Sequence, residues 1–125
     1  MFKIQDEIIH VTRGDVGSLR ITAKNADGSD HSFSVGDIIR FQVTKAKASD
    51  IVVIKKTKSV SAETTEATIN LTSSDTRIGD VINKPVTYWY EVELNPDTNA
   101  QTIIGYDENG AKEFILYPEG VDVDG

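Results

Sequence analysis

Period-two alternation of apolar and polar residues recurs along this chain and limits what it can fold into. Leu19-Ile21-Ala23 alternates with Arg20-Thr22-Lys24, and Ile39-Phe41-Val43 with Arg40-Gln42-Thr44. Ala67-Ile69-Leu71 alternates with Thr68-Asn70-Thr72, and Val86-Tyr88-Tyr90-Val92-Leu94 with Thr87-Trp89-Glu91-Glu93. A strand turns successive side chains to opposite faces, so each run offers one face to a core and one to water. No stretch sustains a helical period over three turns. Turn chemistry separates the runs: Asn25-Ala26-Asp27-Gly28-Ser29, Val35-Gly36-Asp37 and Asn95-Pro96-Asp97-Thr98-Asn99. Asp107-Glu108-Asn109-Gly110 is expected to join Thr102–Tyr106 to Lys112–Tyr117 as a hairpin, its Asn-Gly supplying positive φ. One helical turn fits after Thr72-Ser73-Ser74-Asp75, a capping-box arrangement, with Gly79 ending it and Pro85 opening the long strand.

The expectation is an all-β domain, a sandwich or small barrel of roughly seven to nine short strands with one short helical turn. At 125 residues the chain is long enough for one hydrophobic core without staples. Cysteine is absent, so neither a disulfide framework nor a thiolate metal site can form. Asp75 followed by Tyr88-Trp89-Tyr90-Glu91-Val92 resembles the corner and following strand of immunoglobulin-type sandwiches, where a tyrosine bonds back to the corner; Tyr88 or Tyr90 could take that part. The fold class is therefore read as an immunoglobulin-like (fibronectin-like) β-sandwich. Its single domain is expected over residues 1–118, with 119–125 as a flexible acidic tail.

Composition narrows the function classes. Net charge is −7, against the basic surface that phosphate backbones require. Residues 40–58 hold six cations (Arg40, Lys45, Lys47, Lys55, Lys56, Lys58) against Asp50, a net +5 that leaves −12 for the rest. Such a cluster commonly keeps a strand edge soluble; the sharper alternative is a patch that docks on an acidic partner. The opening Met1–Glu7 has no signal-peptide h-region, and the longest apolar run, Ile51–Ile54, is too short to span a bilayer. A cytoplasmic product without membrane contact is expected.

Catalytic and metal motifs are missing. His10 and His31 lie in separate segments with none of the spacings a zinc site uses. Gly105–Lys112 fails as a phosphate loop, because an alanine separates Gly110 from Lys112 and no hydroxyl follows. Arg13-Gly14-Asp15 suits a plain turn, and Asp27-Gly28-Ser29-Asp30 lacks the ligand spacing of a calcium loop. No enzyme activity, cofactor or metal is expected. Trp89 stands out, since alternation puts this bulky ring on the polar face. It is either capped by a loop or by lysine stems, or used as a contact anchor. The interaction candidates are thus Trp89, Lys45, Lys47, Lys55 and Lys56. A carbohydrate platform would need Tyr106 and Tyr117 beside Trp89.

Two segments carry a family resemblance. Ile8-Ile9-His10-Val11-Thr12-Arg13-Gly14-Asp15-Val16-Gly17 and Phe33-Ser34-Val35-Gly36-Asp37-Ile38-Ile39-Arg40-Phe41-Gln42-Val43 resemble the N-terminal domain of phage baseplate upper proteins. They are also similar to small prophage-encoded proteins of Gram-positive bacteria. Tyr88–Leu94 and Phe114–Pro118 are similar to the later segments of those small proteins. The resemblance implies a β-sandwich that builds or decorates a tail tip, with no active site to carry over. It implies other tail or baseplate proteins as partners, or self-association as a homo-oligomer. Its place would be the virion, reached through the bacterial cytoplasm during assembly. The alternative is a module that binds carbohydrate or another cell-surface ligand.

Overall fold

The computed structural model describes residues 1–46 and 51–119. It is predominantly β, with 51% of residues in strands and almost no helix. The elements run β1 (Phe2–Gln5), β2 (Ile8–Thr12), β3 (Gly17–Ile21), β4 (Ile38–Thr44), β5 (Val52–Ser59), β6 (Ala67–Leu71), α1 (Ser73–Thr76), β7 (Val86–Leu94), β8 (Gln101–Ile104) and β9 (Lys112–Tyr117). The large sheet has the order β1-β2-β9-β7-β4-β5, and β3 pairs with β6 in a small second sheet. All pairings are antiparallel except β2 with β9, which is parallel and sets Ile9 beside Phe114 and Val11 beside Leu116.

Alternation maps directly onto burial. In β4, Ile39, Phe41 and Val43 are buried while Ile38, Arg40, Gln42 and Thr44 are half-buried. In β6, Ala67, Ile69 and Leu71 are buried while Thr68 and Asn70 are exposed. These inner faces meet in one core that joins Leu19, Ile21 and Ile69 of the small sheet to Ile9, Phe41, Val92 and Phe114 of the large one. Phe41 lies at its centre, with ring centroids 5.7 Å from Tyr90 and 6.5 Å from Phe114, tilted as aromatic pairs prefer.

The turns follow the sequence in part. Thr72 and Asp75 form a reciprocal capping box on α1, and Gly79 has φ +63°. The Thr76 hydroxyl is buried and donates to the Asp15 carbonyl at 2.8 Å, tying α1 to the turn before β3. At the other end of the sandwich, Asp37 accepts the Ser34 N–H at 2.8 Å and the Asn95 amide at 3.2 Å. Asn95 in turn accepts the Ile38 N–H at 2.8 Å. The Gly-Asp before β4 is thus a clasp between the start of β4 and the end of β7.

Two expectations need correction. First, β8 and β9 are not a hairpin pair. Both lie along the same side of β7, β9 against Val86–Tyr90 and β8 against Val92–Leu94, with a register shift between Val92 and Glu93. β7 is long enough to take two short partners end to end, and the Asp107–Gly110 turn only redirects the chain between them. Second, neither Tyr88 nor Tyr90 is shown bonding to the corner near α1. The Tyr90 hydroxyl donates to the Glu7 carbonyl at 2.6 Å, and burial pushes its pKa well up. A further strand, Phe2–Gln5, has no counterpart among the alternating runs. Its turn into β2 places Asp6 and Glu7 at φ 53° and 64°, left-handed values without a glycine. That strain costs on the order of 1 kcal/mol or more per residue; the Tyr90 hydrogen bond and Lys112 Nζ, 3.7 Å from Glu7 Oε2, hold the turn in place. The tail expected over 119–125 lies outside the described residues except for Glu119, whose carboxylate is 3.2 Å from Arg13 Nη1.

Gly17 has a specific role. A Cβ there would come within 2.2 Å of the Phe2 ring, so only glycine lets β1 lay its aromatic against the start of β3. In the core, Phe41 is fully buried. Phe41→Ala is expected to cost about 3–5 kcal/mol in urea unfolding, a large share of a domain's usual stability.

Candidate interaction surface

The same alternation that fills the core builds the outward face of the large sheet. Cross-strand neighbours share a face, so the register Thr44–Trp89–Glu113 places Trp89 between β4 and β9. One step along, Lys55, Gln42 and Glu91 align across β5, β4 and β7. Ile115 stands beside Thr87, and His10 of β2 lies alongside Ile115. The face therefore carries Trp89, Ile115, His10 and Tyr117, all half-buried, with Glu91, Glu93 and Glu113 among them. His10 Nδ1 and the Tyr117 hydroxyl are 2.7 Å apart, and their rings are stacked at a tilt with centroids 5.8 Å apart.

Electrostatics on this face are acidic at the centre. Burial beneath neighbouring side chains, and then repulsion from Glu93, push the Glu91 pKa up. Arg40 lies opposite Glu93 in the register, yet its guanidinium turns to Asp97 at 3.0 Å. The two acids keep their like-charge contact, which an incoming cation would relieve.

The expected interaction residues separate into different settings. Trp89 is half-buried on the outward face, and the Thr44 hydroxyl donates to its carbonyl at 3.5 Å. Lys45 is exposed just beyond β4, and Lys55 is exposed on the outward face. Lys47 lies outside the described residues. Lys56 differs: it sits opposite Phe41, on the inward face, and its ammonium is 3.0 Å from Asp75 of α1. This ion pair ties β5 to α1. Burial alone would raise the Asp75 pKa, but the Thr72 backbone N–H and Lys56 outweigh it and hold the carboxyl below its usual value.

The aromatic residues do not gather into one platform. Trp89 and Tyr117 share the outward face but stand four residues apart in register, about 13 Å along the strands. Tyr106, 78% exposed, belongs to the turn after β8. Sequence reasoning named Tyr117 as a possible neighbour of Trp89 but missed His10 and Ile115 on the same face. Their alternation was visible in Ile8–Thr12 and Lys112–Tyr117, but which strands would flank β7 was not.

Among the described residues, no group of three or more His, Cys, Asp or Glu side chains is placed to hold a metal ion. A depression of about 380 Å³ lies between the Ala23–Ala26 turn and β8, with His31, Leu94 and Thr102 in its wall. His31 Nδ1 is 3.1 Å from the Asn25 side-chain oxygen. The Arg13-Gly14-Asp15 turn is framework: the Arg13 side chain is only 11% exposed and donates to the Gly79 carbonyl at 2.6 Å. No helix of the described residues is long and apolar enough to cross a membrane. Comparison with protein-family models, with curated proteins and with solved structures finds no match.

Two lysine reversals separate the two settings. Lys56→Glu places a second acid beside Asp75 and is expected to lower stability by about 1 kcal/mol or more. Lys55→Glu is expected to stay within about 0.5 kcal/mol of the parent. The depressed Asp75 pKa gives the sign of the pH effect: its contribution is present above the ordinary carboxylate value and is lost as pH falls through the lower, folded-state value. The stability gap between parent and Lys56→Glu should therefore narrow on acidification below about pH 4 in urea titrations.

Proposed function

We propose that this chain is a non-catalytic, immunoglobulin-like β-sandwich that serves as a structural or adaptor protein of a phage or prophage tail or baseplate. The strand order supports the fold part of this reading. β9, β7, β4 and β5 follow the order of the G, F, C and C′ strands of variable-type sandwiches, and β3 with β6 corresponds to B and E. The helical turn α1 lies where the chain passes from the small sheet to β7. Differences remain in detail: the inter-sheet cysteine pair is missing, the single Trp is on β7, and Tyr90 reaches β1–β2 instead of the corner.

The function part rests on the resemblance of residues 8–17 and 33–43 to baseplate upper proteins. One observation carries it further. The residues of those motifs are committed to framework contacts, while the broad outward face offers aromatic and acidic groups without converging chemistry. A surface of that make-up suits protein–protein contact. Partners would be neighbouring tail proteins, met first in the host cytoplasm and retained in the virion. A carbohydrate-binding role is less well supported, because Trp89, Tyr106 and Tyr117 form no shared platform.

Mass spectrometry of particles purified after induction of the source bacterium tests this reading. Peptides of the chain at a fixed ratio to known tail proteins are expected. Their absence from intact particles, with abundant protein in the lysate, would overturn virion membership.

A further inference from the structure

The two lateral strands of the large sheet are guarded differently. β5 carries exposed Lys55 and Lys58, the charged side chains that discourage edge-to-edge pairing. β1 carries one lysine, Lys3, and beside it an exposed apolar group: Met1 is 48%, Ile4 47% and Val16 65% exposed. Met1 lies on the outward side of the strand with Lys3, and Ile4 on the inward side with Phe2, whose ring packs against Gly17. Ile4 is directed inward by its pairing with the fully buried Ile9, yet the two-stranded second sheet does not reach far enough to cover it.

The backbone of β1 has a defined phase. The Thr12 N–H donates to the Met1 carbonyl at 2.9 Å, so Met1, Lys3 and Gln5 exchange their bonds with β2. The N–H and C=O groups of Phe2 and Ile4 then point away from β2. β1 is the last strand in the order, and among the described residues no strand pairs with that side of it. The turn that holds this edge open is fixed by Tyr90 and Lys112, so the strand is presented in advance rather than formed on contact.

We propose that a second copy of this chain pairs its β1 antiparallel to this one, Ile4 opposite Ile4 across a twofold axis, to continue the large sheet through both copies. Charge selects the register. Opposed residues of an antiparallel pair share a face, so allowed registers differ by two residues. The register with Lys3 opposite Lys3 sets like charges together. The next one sets Ile4 opposite Ile4 and Lys3 opposite Gln5, removes that conflict, and gives the Ile4 backbone groups reciprocal hydrogen bonds. A self-complementary edge of this kind closes after two copies and cannot grow into a filament. The contact is short, so a dissociation constant between about 1 μM and 1 mM is expected. The inference does not depend on the virion reading, and either can fail alone.

The chain has no cysteine, so a single introduced one reports without background. Sedimentation of the full chain, without an N-terminal extension, should show a monomer–dimer equilibrium in that range, abolished by Ile4→Lys. Under mild oxidation Ile4→Cys should form a covalent dimer well ahead of Val81→Cys, which puts the thiol at a more exposed site (66% against 47%) outside β1. A monomer up to about 1 mM, a dimer that survives Ile4→Lys in a folded protein, or equal cross-linking of the two cysteine variants would each overturn the proposal. Should Ile4→Lys fail to fold, the cysteine comparison still decides.

Discussion

The parallel pairing of β2 with β9 is the constraint on which the rest of the structure depends. It joins the first two strands to the last described one and so adds β1 and β2 to the sheet built on β7. Each of the two strands is buried on its inward side, through Ile9 and Val11 in one and Phe114 and Leu116 in the other. Beyond the seam the contact continues: the Arg13 N–H donates to the Tyr117 carbonyl at 3.0 Å, and the Arg13 side chain holds Glu119 and the Gly79 carbonyl. Because these partners lie more than a hundred residues apart, the seam closes the largest loop in the fold and its entropy cost must be met by the core behind it.

The seam also explains why the distinctive motifs are where they are. Arg13-Gly14-Asp15 is the exit from β2, and its arginine braces the corner near α1 against the end of β9. Gly17 admits Phe2, and Gly36-Asp37 clasps β4 to the end of β7 through Asn95. Residues with the look of recognition motifs thus serve architecture. What the fold leaves available is surface: the outward face around Trp89, Ile115 and Tyr117, and the open strand edge at β1.

Much of the fold could be read from the sequence, and the reason is physical. A period of two in β4, β6 and β7 fixes which side chains are inward, and every buried residue there belongs to the apolar set of its run. The α1 capping box could be read because its signal is local, three residues from Thr72 to Asp75. Long-range pairing could not. Nothing local in Lys112–Tyr117 says that it runs parallel to β2, or that β8 shares a side of β7 with it. β1 was hidden because its turn uses Asp6 and Glu7 in left-handed conformations, with the stabilising partners, Tyr90 and Lys112, far along the chain. The lysine cluster shows the same limit. Lys55 and Lys56 are neighbours in sequence, but alternation and the second sheet give one to solvent and the other to Asp75.

The central claim is that the seam between β2 and β9 belongs to the cooperative core and not to a frayed end. Native-state amide exchange measures it residue by residue. The phase set by the bond between Thr12 and Met1 directs the Ile9 and Val11 amides toward β9. Those two amides should exchange as slowly as those of Phe41 and Val92, by global unfolding alone. Exchange at the rate of the exposed β1 edge would contradict the account, because the sheet would then be held without its closing pair.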